Sequence, residues 1–290
     1  MGKSDRAPVT CREIQATDFD DLILLMSEGF PERSTSYWKN LCQRLGEHQG
    51  PSQYPRYGYL LESGARPVGS VLTIFTQMSD GESPAVRCCT SCWYVKPAFR
   101  GHSLRLAREA IKFRDVLYLN PTPAPDGFRV LAHLGYEPSC KGHFLAVPSL
   151  SGLAAGVRLR RVRGEIAFPS DLTRSEREIL VSHAAYGCIS LIAAESGRSL
   201  PFVFSRRRST RGYPYAQLLF CRSLASYVDF AGPLGRRLLA LGLPIVAVDA
   251  DGPLPAVRGK YIEGKPKFFK GAARPRLGDL AYTELALFGD

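Results

Sequence analysis

The run AVRCCTSCWYV (85–95) constrains the fold most. Its β-branched, cysteine and aromatic side chains leave no solvated face, so it reads as a central strand. It passes through Lys96-Pro97 into SLRLAREAIKFRD (103–115), a basic helix. Leu104, Ala107, Ile111 and Phe113 are expected on the buried side of that helix. VLYLNPT (116–122) is the next strand, ended by Pro121 and Pro123. A strand, a helix and a following strand call for a layered α/β domain.

The flanking pattern extends that unit. ATDFDDLILLMSEGF (16–30) and TSYWKNLCQRLGEH (35–48) have helical spacing. RYGYLLES (56–63) and RPVGSVLTIFTQM (66–78) read as strands around Gly64, with a turn at GESP (81–84). PDGFRVLAHLGY (125–136) is a short helix ending at Gly135, and GHFLAVPSL (142–150) a last strand. The expectation is an α/β domain over 12–150, a mixed twisted sheet flanked by helices. After the Gly/Ser/Ala-rich PSLSGLAAG, a similar order recurs over 165–290. TRSEREILVSHAAYG carries a Thr173–Glu176 capping box. CISLIAAES and SLPFVFSRRR pair around Gly197, YAQLLFCRS is a further strand, and GPLGRRLLALGLPIVAVDADGP is a helix and strand. DLAYTELALFG (279–289) is expected as an edge or inserted strand. Two such domains are therefore expected, the second degenerate.

Lys and Arg number 38 against 27 Asp and Glu, a net charge of +11. Such a chain attracts nucleic acid, anionic membrane or phosphorylated small molecules. RLRRVR (158–163) and SRRRSTR (205–211) concentrate the charge locally. Any RNA affinity arising from this charge is expected to weaken steeply with salt. The opening MGKSDRAPVTCREIQ lacks the apolar core of a secretory leader, so a reduced, cytoplasmic setting is expected for the eight cysteines. Cys89 and Cys92 have CxxC spacing without a second pair and lie in a strand, so no metal site is expected. No apolar run is long enough to span a bilayer.

At the strand-to-helix junction stand Arg100-Gly101-His102-Ser103. The first turn of a helix offers unsatisfied N–H groups and the positive end of its dipole, a setting that binds phosphate. Arg100 adds charge, and Gly101 permits close approach to the backbone. Ser103 binds an anion or caps the helix. His102 is expected to face solvent.

With Val95, Pro97, Arg100, Gly101 and Leu104 in this order, the segment resembles the GCN5-related N-acetyltransferase (GNAT) superfamily. LAHLGYEP (131–138) is similar to the Leu-Gly-Phe ending of that family's next helix. The likeness covers about 12–150 and, more weakly, about 165–289. It implies the acyl-CoA N-acyltransferase fold, in tandem, with acetyl-CoA or another acyl-CoA as donor. The strand carrying Trp93 and Val95 would hold the pantetheine arm through its backbone. Arg100, Gly101, His102, Ser103, Leu104 and Arg105 would surround the pyrophosphate. Ser103 replaces the usual central glycine and Arg105 a small residue, so these side chains either crowd the pyrophosphate or, for Arg105, pair with it. GPLGRRLL (232–239) echoes the glycine-rich helix start without the preceding arginine, which implies a structural or acceptor-binding second domain.

Acyl transfer to an amine needs a neutral nucleophile, a route for its proton and good positioning. The family's usual acid, a tyrosine, is replaced by Leu131, and residues 85–95 contain no Asp, Glu or His. The remaining catalytic candidates are Tyr94, Tyr136, Cys92 and Glu28. Tyr94 and Cys92 share one strand face by period two. His133 and His143 are further possible bases, and Tyr37, Trp38, Tyr54, Tyr57 and Tyr59 are candidates to wall an acceptor site. The leading reading is a CoA-dependent N-acyltransferase acting on a small-molecule or peptide amine by direct attack. It requires no nucleic acid and no membrane span. Two alternatives stay open: an aminoacyl-tRNA-dependent, Fem-like aminoacyltransferase, and an inactive GNAT-like ligand-binding module.

Overall fold

A computed structural model describes residues 7–78, 85–152, 156–164 and 166–289; the turn expected at 81–84 lies outside them. The described chain divides into two compact units, 7–78 with 85–120, and 121–289.

The first unit comprises β1 (Val9–Glu13), α1 (Phe19–Gly29), α2 (Thr35–Glu47), β2 (Gly58–Ser63), β3 (Arg66–Gln77), β4 (Val86–Val95), α3 (Ser103–Ala110) and β5 (Val116–Asn120). Its strands lie in the order β1-β2-β3-β4-β5. All neighbours are antiparallel except β4 and β5, which are parallel. The helix α3 makes that parallel pairing possible by returning the chain to the same end of the sheet. Ser34 starts α2 by accepting the Tyr37 N–H on its hydroxyl. α1 buries Leu22, Ile23, Leu25 and Met26, and α2 buries Trp38, Leu41, Cys42 and Leu45. On β2, Tyr59 and Leu61 join the core under α3, while Leu60 between them is buried on the opposite face. Both faces of this sheet are therefore covered.

The basic helix is shorter than its sequence suggests. It stops at Ala110, and its buried side is Leu106, Ala107 and Ala110, packed toward β2 and β3. Leu104 is exposed, one position off the expected stripe. Phe113 lies beyond the helix, where its ring packs edge-on against Tyr54 and Phe75.

The second unit contains α4 (Phe128–His133), β6 (Glu137–Pro138), β7 (Gly142–Ala146), β8 (Arg158–Val162), α5 (Arg174–Ala185), β9 (Ile189–Glu195), β10 (Arg198–Arg208), β11 (Pro214–Cys221), α6 (Leu224–Leu239), β12 (Val246–Ala250), β13 (Gly259–Glu263), β14 (Phe268–Lys270) and α7 (Glu284–Leu287). A seven-stranded sheet runs β13-β7-β12-β11-β10-β9-β8, with β11 and β12 parallel across α6. The order β8, α5, β9, β10, β11, α6, β12 is similar to that of the first unit, except that α5 alone stands where the first unit has α1 and α2. The Thr173–Glu176 capping box starts α5, as its sequence requires.

Four expectations are corrected here. The strand at 142–150 does not close the first unit: β7 pairs with β12 and β13, and Phe144 and Ala146 enter the core of the second unit. The division accordingly falls between Asn120 and Pro121, not near 150. GPLGRRLL does not begin a helix; α6 starts at Leu224, capped by Ser223 and Ser226. Gly232 and Gly235 sit mid-helix because segment 148–152 passes there: a Cβ at Gly235 would lie 2.2 Å from the Ser149 nitrogen. DLAYTELALFG is not a strand. It makes one bridge, Phe220 to Asp279, and then buries Leu280, Ala281, Leu285 and Ala286 under a turn and α7. In RGKYIEGKPKFFKG (258–271), β13 pairs with β7 and β14 with β6, and Phe268 and Phe269 are buried.

Candidate functional site

The site begins where two parallel strands part. β4 and β5 pair from Val86–Val116 to Cys89–Leu119 and no further, although β4 continues to Val95. At the point of parting, Thr90 donates its hydroxyl to the Leu119 carbonyl at 3.3 Å, and the Asn120 side-chain amide donates to Thr90 Oγ1 at 3.3 Å. Beyond it, residues 92–95 run without β5 beside them.

A bulge bends the same stretch. Leu72 faces Ser91 and Ser70 faces Tyr94, so Val71 alone opposes both Cys92 and Trp93. Cys92 adopts a left-handed backbone, φ 49°, the conformation of an inserted residue. The bulge breaks period-two alternation, so Tyr94 and Cys92 are not placed on one face by their spacing. Trp93 and Val95 pack into the core under α3, whereas the Tyr94 ring lies against Gly29 and Phe30 at the end of α1.

The chain then leaves β4 through a 3₁₀ turn, Pro97–His102, that leads directly into α3. Pro97 sits in the first turn, where its missing N–H costs nothing. No side chain caps either the turn or α3. A Cβ on Gly101 would meet nothing within 4 Å, so space beside this backbone is open. Arg100 is exposed, while His102 and Ser103 are partly exposed. Arg105 points away from the turn: its guanidinium donates to the Val9 carbonyl on β1 at 3.1 Å. The matching junction of the second unit is closed. There Ser223 and Ser226 cap α6 reciprocally, and the adjacent Arg222 is bound to Glu176 at 2.7 and 2.8 Å.

Tyr94 and Glu28, both picked out in the sequence, meet in the structure. The Tyr94 hydroxyl donates to Glu28 Oε1 at 3.2 Å, and Lys96 Nζ lies 2.7 Å from Glu28 Oε2. Burial and the neighbouring Glu28 charge push the Tyr94 phenol above its ordinary range; Arg100 acts in the opposite sense. The phenol is therefore protonated at neutral pH and available as a proton donor. The Lys96 ammonium, aided by Tyr94, holds the Glu28 carboxyl below its ordinary range, against a smaller effect of burial. Glu28 is thus a stable anion and a poor base. Nothing in the sequence flags Lys96, because it and Glu28 belong to separate elements.

The other candidates are placed differently. Cys92 lies at the bulge, with its sulfur 3.3 Å from Ser91 Oγ. Tyr136 belongs to the second unit, buried after α4, with its N–H donated to the Leu131 carbonyl. His143 stands 3.6 Å from Asp249 in the same unit. Of the aromatics expected to wall an acceptor site, Trp38, Tyr57 and Tyr59 are buried core. Tyr54 stacks on Phe75, and Tyr37 carries the Arg33 guanidinium on its ring. Among the described residues no cluster of three or more His, Cys, Asp or Glu can hold a metal ion. No described helix is long and apolar enough to cross a membrane.

No family model matches the chain, and no curated protein matches it. Its backbone is similar to solved structures. One is a protein from Pyrococcus horikoshii provisionally named an acetyltransferase, with 13% identity, 97% of this chain and 96% of that one covered, and a TM-score of 0.61. Another is a GCN5-related N-acetyltransferase from Kribbella flavida, with 15% identity, coverage of 92% and 72%, and a TM-score of 0.58. A third, from Anabaena variabilis, has 10% identity, coverage of 90% and 72%, and a TM-score of 0.55. At such identities the likeness is one of fold: the chain has a GNAT-like mixed α/β architecture.

Proposed function

We propose that the chain is a CoA-dependent N-acyltransferase, most simply an acetyltransferase, that moves an acyl group from acyl-CoA to an amine. The observation that carries this reading is the parting of β4 from β5 beside the uncapped Pro97–Ser103 turn. An extended thioester arm fits between separated strands, where the backbone of residues 92–95 supplies hydrogen bonds. The pyrophosphate then falls at the start of α3, over Gly101, with Arg100 beside it. In this reading the first unit holds the donor. The second is a degenerate copy, closed at the equivalent junction, that contributes structure or acceptor contacts.

The chemistry asks little of the protein beyond placement. The amine nitrogen attacks the thioester carbonyl, a C–N bond forms and the C–S bond breaks. The proton lost by the amine ends on the CoA sulfur. Tyr94, a protonated phenol at the end of the cleft, supplies the proton to the leaving thiolate. Glu28 orients Tyr94 and attracts the acceptor as an ammonium, which gives one proton to bulk water before the neutral amine attacks; the proton that the nitrogen loses on attack returns through water to the Tyr94 phenolate. Cys92, with no histidine nearby in sequence, is not needed as an acylated nucleophile.

The reading is tested by calorimetric titration with CoA and acetyl-CoA, followed by thiol release across a panel of amines. Saturable binding that is lost in both Arg100→Ala and Gly101→Glu supports it. No binding up to millimolar CoA rejects it. Binding without turnover on any amine reduces the chain to a CoA-binding module.

A further inference from the structure

The ion pair beside Tyr94 carries an inference that rests on acyl transfer at this cleft: the class of amine that the cleft accepts. Glu28 stands in the last turn of α1, and Lys96 directly follows β4. Their charged ends meet at 2.7 Å, next to the Tyr94 hydroxyl. Both stay open to solvent, with 47% of the Glu28 side chain and 34% of the Lys96 side chain exposed. A pair this exposed contributes little to stability, so tying α1 to β4 is a weak account of it.

Neither group has its bonding capacity filled. A carboxylate accepts about four hydrogen bonds. Among the described residues Tyr94 takes one Glu28 oxygen and Lys96 the other. An ammonium carries more donors than the one that Lys96 gives to Glu28. An anion with free acceptor sites and a cation with free donors therefore stand side by side at the phenol.

A guest that answers both carries an ammonium and an anion equally close together. An α-amino acid does, with both groups on one carbon. The count of charges narrows the anion. Glu28 and Lys96 offer one charge of each sign, because Arg100 is taken up by the pyrophosphate when CoA is bound. A carboxylate matches them, whereas a phosphate monoester would bring a second negative charge to Glu28. A peptide N-terminus has the ammonium but offers Lys96 only a neutral carbonyl. Leu24, one turn before Glu28 on the same helix stripe, is 68% exposed. Phe30, partly exposed, packs on the Tyr94 ring. Both suit an apolar side chain on the guest.

We propose that the acceptor is a free α-amino acid with an apolar side chain, its ammonium on Glu28 and its carboxylate on Lys96. Docked there, the ammonium gives one proton to water and the neutral amine attacks the thioester. The C–N bond forms, the C–S bond breaks and Tyr94 protonates the departing sulfur. The proton that nitrogen loses on attack returns through water to the Tyr94 phenolate. The products are an N-acyl amino acid and CoA. The amide nitrogen is uncharged, so Glu28 no longer holds it and repels the product carboxylate, which favours release.

Leucine and leucinamide separate the two halves of the site, since leucinamide keeps the amine and the side chain but lacks the carboxylate. Thiol release from acetyl-CoA gives kcat/KM for each, in the wild type, Lys96→Gln and Lys96→Arg. Comparing the leucine-to-leucinamide ratio between proteins cancels the different basicity of the two amines. The ratio is expected to fall about tenfold in Lys96→Gln. It should survive in Lys96→Arg and shrink with added salt. Calorimetric titration of leucine into the chain saturated with CoA reads the site apart from turnover. Binding is expected in the wild type, weakened about tenfold in Lys96→Gln. A ratio that Lys96→Gln leaves unchanged overturns the proposal while the acyltransferase reading stands. So does turnover confined to a leucyl tripeptide or to a polyamine, and so does CoA binding without leucine binding. Failure of CoA itself to bind removes both.

Discussion

The Tyr94 hydroxyl donates to Glu28 Oε1 across 3.2 Å and so joins β4 to the end of α1. The second Glu28 oxygen is held by Lys96. The pairing fixes the phenol's direction and keeps its proton in place at neutral pH. If Tyr94 donates that proton to the departing thiolate, Tyr94→Phe should lower kcat about 100-fold with little change in CoA affinity. Glu28→Gln should act chiefly on the acceptor KM, because Glu28 is held as an anion and not as a base. Steady-state kinetics with acetyl-CoA and an accepted amine separate the two. Equal loss of CoA binding in Tyr94→Phe would make the residue a packing element only.

Gly29 provides the seat of the same ring. A Cβ there would lie 2.5–2.7 Å from three Tyr94 ring atoms, closer than any real contact. Gly29→Ala must therefore move the tyrosine while leaving the Pro97–Ser103 turn untouched. The expected result is a turnover loss approaching that of Tyr94→Phe, with CoA binding by calorimetry unchanged. Full activity in Gly29→Ala would show that the position of Tyr94 does not matter to the reaction.

How far the sequence could be read depends on the range of each interaction. The junction from β4 to α3 was legible because strand composition, Pro97 and helical spacing are all local signals. The Thr173 capping box was legible for the same reason. The sheet position of β7 was not: its partners, β12 and β13, are remote in sequence, and GHFLAVPSL reads the same whichever sheet receives it. The bulge at Cys92 is one inserted residue in an otherwise alternating run, and no composition marks it. That single residue decides that period two cannot relate Cys92 to Tyr94. The glycines of GPLGRRLL misled because glycine serves close packing as readily as phosphate binding, and only the passage of 148–152 decides which. In the candidate site, Tyr94 and Glu28 could be named singly, but their bond spans 66 residues of sequence.

Those two uses of glycine give a paired prediction. At Gly101 a methyl group meets nothing, and the backbone is not left-handed, so Gly101→Ala should leave the melting temperature nearly unchanged. Its effect should fall on CoA affinity. At Gly235 a methyl group would meet the backbone of Pro148 and Ser149 at 2.2–2.4 Å. Gly235→Ala should therefore destabilise the second unit by about 1–3 kcal/mol, the usual range for overpacking. Urea unfolding of the two variants tests the contrast, and equal midpoints would remove the distinction drawn between the glycines.

His183 gives the protein a pH dependence of known sign. Its ring is fully buried on α5, with Nδ1 2.8 Å from the Ile179 carbonyl and Nε2 accepting the Tyr282 N–H at 3.1 Å. A donor at Nδ1 and an acceptor at Nε2 define the neutral tautomer. Protonation would turn Nε2 into a donor facing another donor. Burial therefore pulls the pKa from 6.5 down to about 4, partly offset by the Ile179 carbonyl and Asp279. Between these values the unfolded chain binds the proton and the folded chain does not, so folding loses stability as pH falls from 6.5 toward 4. The contribution is complete above pH 6.5 and is on the order of 3 kcal/mol across the window. NMR of the imidazole should find His183 still neutral at pH 5.5. In His183→Gln, whose side-chain oxygen can accept the Tyr282 N–H, the fall in urea midpoint between pH 7 and pH 5 should be smaller than in the wild type. A ring that titrates near 6.5, or an unchanged fall in the variant, would place the acid sensitivity elsewhere.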